Sequence, residues 1–248
     1  WVSTYSASNQ VTDSGAAATA FASGVKTINQ VIGVDTRGRG LRSLSELAKS
    51  KGWKVRYVTN TTITHATPAA FYAGVGDRYE DVDRIAQQLI EHRPDVALGG
   101  GELDFLPDWL AGKQRGNLNL LDQARAEGFT VWTDVTEIAP SPRQPLLGLF
   151  TNSHLHYELD RQALPPGERP PTLEQMTGIA LEALSRDGKP FFLMVEGGRI
   201  DHAAHGFDAA GTALETAGFD RAAAVVRGFQ EAHPATLLVI TADHATGG

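Results

Sequence analysis

This sequence predicts an α/β fold: a mainly parallel central sheet with helices on both faces, in three layers. Three observations predict it. Apolar runs of strand length alternate with longer amphipathic stretches along the chain, as repeated strand–helix units do. Polar residues of metal-ligand type recur just after the apolar runs, where ligands gather in open parallel sheets. No internal repeat, low-complexity tract or interdomain linker divides the 248 residues, so a single domain is expected over 1–248.

The elements follow in order. Helices are expected over Ala16–Lys26 and Leu41–Lys51, and the first strand over Lys54–Thr59. A helix at Asp81–His92 then leads to a strand at Asp95–Leu98, and a helix at Leu118–Glu127 to strands at Thr130–Thr133 and Leu146–Leu149. A helix over Thr172–Asp187 precedes the strand Pro190–Val195, and a helix over Thr212–His233 precedes a last strand, Thr236–Thr241. Near-continuous apolar runs such as Phe191-Phe-Leu-Met-Val and Leu237-Leu-Val-Ile suit strands buried on both faces. The proline-rich stretches Pro140–Pro145 and Leu164–Pro171 read as loops within the domain.

Bulk composition narrows the function. Apolar residues make up 42%, enough for a sizeable core. A formal net charge of -7 argues against nucleic acid as a specific partner and against anionic membranes. An anionic substrate would have to be drawn in locally. With no cysteine, metal binding falls to His, Asp and Glu, which select zinc or magnesium over iron–sulfur chemistry. No apolar run approaches the ~20 residues of a membrane span. The chain opens on Trp1 and stops at Thr246-Gly247-Gly248, straight after a polar motif, so both ends are expected to lie inside a larger domain.

Four segments carry candidate chemistry. In Val11-Thr-Asp13-Ser14-Gly, a Ser enters a small-residue helix. Its N-terminus suits a phosphate, and Ser14 reads either as a nucleophile or as a plain cap. In Val195-Glu196-Gly-Gly-Arg-Ile-Asp201-His202-Ala-Ala-His205, a strand ends on a carboxylate, and two glycines permit close backbone approach. Asp201 and His205 are four apart, so one helical turn puts them on one face, as half of a zinc site or as ordinary polar residues of a solvated helix start. Asp243 and His244 follow an apolar run, as a turn or as a second half-site. Last, Thr62-Ile-Thr-His65-Ala-Thr67-Pro68 runs on to Arg78. Thr67 could ligate a hard cation or cap a helix, and Arg78 could grip phosphate oxygens or sit as a surface charge.

Six blocks in this order resemble the alkaline phosphatase family. They are Val11-Thr-Asp-Ser-Gly-Ala-Ala-Ala-Thr-Ala (continuing through Gly24-Val-Lys-Thr and Gly33-Val-Asp), His65-Ala-Thr-Pro-Ala-Ala, Asp95-Val-Ala-Leu-Gly-Gly-Gly, Leu146-Leu-Gly-Leu-Phe, Val195-Glu-Gly-Gly-Arg-Ile-Asp-His and Thr241-Ala-Asp-His. The resemblance implies a metal-dependent phosphate monoester hydrolase with an alkaline optimum, in which Ser14 becomes phosphoserine. It implies that Asp13 orients the phosphate-binding Arg78. Asp201 and His205 match ligands of a first zinc, Asp243 and His244 of a second, and Glu196 and Thr67 of a third site, usually magnesium. His65 and His202 stand at positions where members vary, near that third site and the phosphate, which leaves the third metal open. The family's upstream aspartate and downstream histidine, each a further metal ligand, have no counterpart here. Members are usually periplasmic or extracellular and often homodimeric, and product phosphate is expected to inhibit competitively. The rival expectations are a phosphodiesterase or sulfatase of the same superfamily, and an inactive fragment that binds metal or phosphate.

Overall fold

The structure, a computed structural model, describes residues 3–107, 110, 118–139, 145–182 and 188–246. Helices α1 (Ser14–Ser23) and α2 (Leu44–Ser50) precede strand β1 (Lys54–Thr62). Then come α3 (Ala66–Ala69), α4 (Val82–His92), β2 (Val96–Gly100), α5 (Leu120–Ala126), β3 (Thr130–Trp132) and β4 (Leu146–Leu149). The described part closes with α6 (Glu158–Ala163), α7 (Leu173–Glu182), β5 (Phe191–Glu196), α8 (Arg199–His205) and α9 (Ala209–Ala232).

The sheet is parallel throughout, in the order β3-β4-β2-β1-β5. Its faces can be read from alternation along the strands. Val55 and Tyr57 of β1 join Ala97 of β2 and Leu147 and Leu149 of β4 in one core, under Ile85, Leu89 and Ile90 of α4 and Leu120 and Leu121 of α5. Val58, Val96, Leu98 and Leu146 point the other way, to Leu173, Met176 and Ala180 of α7 and Ala222 of α9. Both faces are therefore covered, as the apolar runs predict. Local signals set the helix ends. Asp13 caps α1 by accepting from Ala16 N, and Gly24 ends it in the left-handed region. Ser43 and Glu46 form a capping box on α2.

One expectation fails. Thr236–Thr241 is not a strand. Leu237 is 85% and Val239 72% exposed. A strand exists only where its backbone finds a ladder, and no described residue pairs with this segment. The sheet ends at β5, whose six residues are all only half-buried. The helix expected to run to Asp187 is described to Glu182, and the loop Pro140–Pro145 lies outside the described residues except for Pro145.

The carboxyl ends of β1, β2, β4 and β5 all open on one edge of the sheet. The loop after β4 is bolted across that edge. Gly101 N and Glu102 N donate to Thr151 O, and Leu155 N donates to Asn60 O of β1. Gly100 makes room for this crossing, since a Cβ there would meet Ser153 O at 2.1 Å.

Candidate active site

Ser14 opens α1 and is buried. Its Oγ lies 3.2 Å from His244 Nε2. The other ring nitrogen of His244, Nδ1, is 3.1 Å from the Ala245 carbonyl. A carbonyl only accepts, so Nδ1 carries the hydrogen and a neutral ring turns its Nε2 lone pair to Ser14. Asp243 Oδ2 is 3.2 Å from the same Nε2. Hydroxyl, imidazole and carboxylate therefore converge on one point.

Asp13 has two uses. Its Oδ1 caps the helix through Ala16 N at 2.9 Å. Its Oδ2 accepts from Gln30 N at 3.0 Å and stands 3.5 Å from Arg78 Nε. The segments bearing these residues are stitched together. Arg78 N donates to Gln30 O, and Ile32 and Val75 form an antiparallel bridge. Gly33 permits this approach. Its φ is +63°, and a Cβ would stand 1.9 Å from Ala73 O. The Arg78 side chain is largely buried over the Tyr79 ring, with Nη2 donating to Tyr79 Oη. Its Nη1 is buried and has no hydrogen-bond partner among the described residues. A sealed cationic donor of this kind needs an acceptor.

Glu196 ends β5 over a row of hydroxyls from β1. Its Oε2 accepts from Thr59 Oγ1 and, at 3.0 Å, from Thr61 Oγ1. His65 Nδ1 stands 3.6 Å from Oε1. Burial pushes this carboxyl up, but the His65 imidazole and the Thr59 and Thr67 hydroxyls outweigh it and hold the pKa near 2. Glu196 is thus a carboxylate at any ordinary pH. The glycines after it are not open to a ligand. A Cβ on Gly197 would meet Phe219 at 2.9 Å, and one on Gly198 would meet Thr61 Cγ2 at 2.5 Å and Glu196 Oε1 at 2.8 Å. They let the chain turn tightly over its own side chains into α8.

On α8, Asp201 Oδ2 lies 3.5 Å from His205 Nε2, one turn on. Thr246 Oγ1 donates to Asp201 Oδ1. That contact joins the segment bearing Asp243 and His244 to α8. His202 Nδ1 is 2.9 Å from Arg199 Nη1, and the Arg199 guanidinium carbon sits over the Tyr157 ring, 3.6 Å from its centroid.

All eleven residues singled out in the sequence therefore belong to one connected set. Arg78, Asp13 and Ser14 connect through His244 and Asp243 to Asp201 and His205. His202 then leads to His65, Glu196 and Thr67. The reading of the sequence missed His154. Its ring packs on His202 at 4.6 Å between centroids and edge-on to His65 at 5.6 Å. Burial, with the neighbouring His202, His65 and Arg199 charges, lowers its pKa to about 3. Burial with His65 and Arg199 lowers that of His202 to about 4. Both rings are neutral near pH 7. His154 follows the end of β4 by five residues, so the rule that picked out the other positions would have found it. Thr59 and Tyr157 carry no such signal.

Among the described residues no three His, Asp or Glu side chains gather as a metal-binding group. The acidic and imidazole donors come in twos, Asp201 with His205 and Asp243 with His244, while Glu196 stands with Thr67. These oxygen and nitrogen donors suit zinc and magnesium. The inward-facing lone pair of His244 beside a carboxylate fits a cation.

Carboxylate, imidazole and hydroxyl side chains thus gather at one end of a parallel sheet, where a serine opens a helix. The sequence profile of the family described as Alkaline phosphatase matches residues 1–248. The chain belongs to the alkaline phosphatase family. It is 37% identical over 244 residues to alkaline phosphatase 4 of Bacillus subtilis (strain 168), covering 96% of this chain and 50% of that protein. Among solved structures, Thermus thermophilus alkaline phosphatase superposes with a TM-score of 0.88 at 38% identity, over 99% of this chain and 50% of that one. A histidine-to-aspartate variant of the TAB5 alkaline phosphatase, with Mg bound in its M3 site, superposes with a TM-score of 0.87 at 31% identity, over 100% of this chain and 68% of that one. The chain spans about half the length of the curated relatives it matches.

Proposed function

We propose that these residues form the reaction centre of a phosphate monoester hydrolase working through a phosphoserine at Ser14, with two zinc ions and a magnesium ion. The observation that carries this reading is the Ser14 Oγ to His244 Nε2 contact of 3.2 Å at the N-terminus of α1. Asp201 with His205 would hold one zinc and Asp243 with His244 the other. Glu196 and Thr67 would hold magnesium. Bound there, the cations supply Lewis acidity and a lowered pKa for serine and water.

The chain's own residues do the rest. His244 Nε2, 3.2 Å from Ser14 Oγ, would hold its zinc beside that hydroxyl, and the Ala245 carbonyl keeps the ring turned this way. In the first step Ser14 gives up its proton and an Oγ–P bond forms as the ester P–O bond breaks, the leaving oxygen taking up a proton to depart as the alcohol. In the second a water oxygen bonds to phosphorus as the Oγ–P bond breaks, Ser14 regains a proton and orthophosphate leaves. Backbone N–H groups opening α1 favour the phosphoryl charge. The Arg78 fork holds two of its oxygens, and Asp13 keeps that fork from swinging away. An arginine gripping two oxygens suits a terminal phosphate, which ranks monoesters above diesters and sulfates. Orthophosphate would occupy the same groups and inhibit. As in the family, an exported dimer is expected; no described helix is long and apolar enough to cross a membrane.

Acid quench of the metal-loaded protein with p-nitrophenyl phosphate tests this. Phosphate on Ser14 is expected by mass spectrometry, with none on Ser14→Ala. Faster hydrolysis of bis-p-nitrophenyl phosphate would point to a phosphodiesterase. Phosphate binding with neither turnover nor phosphoserine would point to an inactive binding fragment.

A further inference from the structure

We propose that His154 is a substrate-binding residue whose Nε2–H donates to a phosphoryl oxygen of the bound ester and of product phosphate. The proposal rests on reading the surrounding site as a phosphatase centre.

The direction of one hydrogen bond carries the argument. Thr62 N lies 3.0 Å from His154 Nδ1. A backbone N–H can only donate, so Nδ1 is the acceptor and a neutral ring must carry its hydrogen on Nε2. That tautomer has no lone pair left for a metal. It presents one N–H donor, and among the described residues nothing accepts from it. His202 is fixed in the same way. Arg199 Nη1 can only donate to His202 Nδ1, so a neutral His202 also carries its hydrogen on Nε2. The two rings lie 4.6 Å apart, and both meet His65 edge-on at an interplanar angle of 82°. The cluster therefore holds two neutral N–H donors side by side. It adjoins Glu196 through His65 and Asp201 through the chain.

The mounting is rigid. His154 sits in the loop after β4, tied to the ends of β1 and β2 by Gly101 N and Glu102 N on Thr151 O, Leu103 N on Asn152 O and Leu155 N on Asn60 O. The Thr62 bond adds a fifth tie. Donors held by the scaffold before a ligand arrives cost little to organise on binding. A neutral donor pair also holds an anionic oxygen without adding charge to a site already dense in cations.

Two substitutions separate the donor from the anchor. His154→Asn puts a carbonyl oxygen where Nδ1 stood, so it keeps the Thr62 bond and loses the far N–H. His154→Gln carries an amide N–H out to the Nε2 position. Both are compared with wild type in the complete, metal-loaded protein. The readouts are orthophosphate affinity by calorimetry, KM and kcat for p-nitrophenyl phosphate, metal content and melting temperature. H154N is expected to weaken phosphate and raise KM by about tenfold, with kcat, metal content and melting temperature held. H154Q recovers most of that loss. Unchanged phosphate affinity in H154N overturns the proposal, including the case where only KM for the ester rises, which assigns the ring to the leaving group. Equal loss in both variants with lower melting temperature or metal content makes His154 structural and overturns it too. A wild-type protein that neither turns over the ester nor binds phosphate fails the phosphatase reading itself.

Discussion

Ser14 Oγ and His244 Nε2 stand 3.2 Å apart although 230 positions separate them in the chain. The pairing works because His244 spends its other nitrogen on the Ala245 carbonyl, which fixes the tautomer. His244→Ala removes the imidazole beside Ser14 and with it one ligand of the proposed second zinc. Phosphoserine formation in a single turnover is expected to slow by about 100-fold or more, with less metal bound per chain. Normal phosphorylation with full metal content would break the assignment.

Arg78 depends on Asp13. With Nη1 unpaired and Asp13 Oδ2 beside Nε, the guanidinium is aimed by one carboxylate. Asp13→Ala also removes the cap of α1, worth about 1 kcal/mol. Phosphate affinity is expected to fall about tenfold, together with this small drop in stability. Arg78→Lys keeps the charge but loses the planar fork, and is expected to lose at least as much affinity with no change in melting temperature. Calorimetric titration with orthophosphate beside a thermal melt distinguishes the two effects.

Gly33 and Gly198 are tests of shape. Ala at Gly33 would need a positive φ and a Cβ 1.9 Å from Ala73 O, so a loss of about 3 kcal/mol or more is expected in denaturant unfolding. Ala at Gly198 would press on Thr61 Cγ2 and Glu196 Oε1. There the expected loss is magnesium affinity, read by titrating metal-stripped protein, with a smaller loss of stability.

His92 supplies a pH signature away from the site. It is half-buried against Tyr57 and Tyr72, with Nε2 2.9 Å from Tyr57 Oη. Burial, and then the Lys49 charge, lower its pKa from 6.5 to about 4. Between those values the unfolded chain takes up a proton that the folded chain refuses. Stability from this residue is therefore complete above 6.5 and declines as pH falls towards 4, by at most about 1.4 kcal/mol per pH unit. Melting curves across that window should flatten in His92→Gln relative to wild type. An unchanged slope would refute the shift.

The parts legible in the sequence were those governed by local pattern. The runs Lys54–Thr59 and Phe191–Val195 lie within strands of the sheet, and the Asp201–His205 spacing sits on one helical turn, because burial and periodicity are written residue by residue. Strand pairing is not local. Thr236–Thr241 has the composition of a buried strand, yet no described neighbour offers it a ladder. Composition cannot register that. His154 lies within reach of the strand-end rule, yet it was passed over. Its block was noted only for the strand Leu146-Leu-Gly-Leu-Phe, and nothing there shows that the following loop crosses to β1. Thr59 and Thr61 read as ordinary β-branched strand residues until Glu196 is placed above them.

Those two threonines have a consequence for anyone redesigning the molecule. β1 is flanked by β2 and β5, so it is the strand a stabilisation campaign would repack first. Thr→Val is the habitual exchange at buried, β-branched positions. At 59 and 61 it would be nearly invisible to a packing score while stripping two donors from a carboxylate that has to stay charged. Thermal robustness and activity would part company there, and a library screened on folding alone would enrich well-folded, inactive protein.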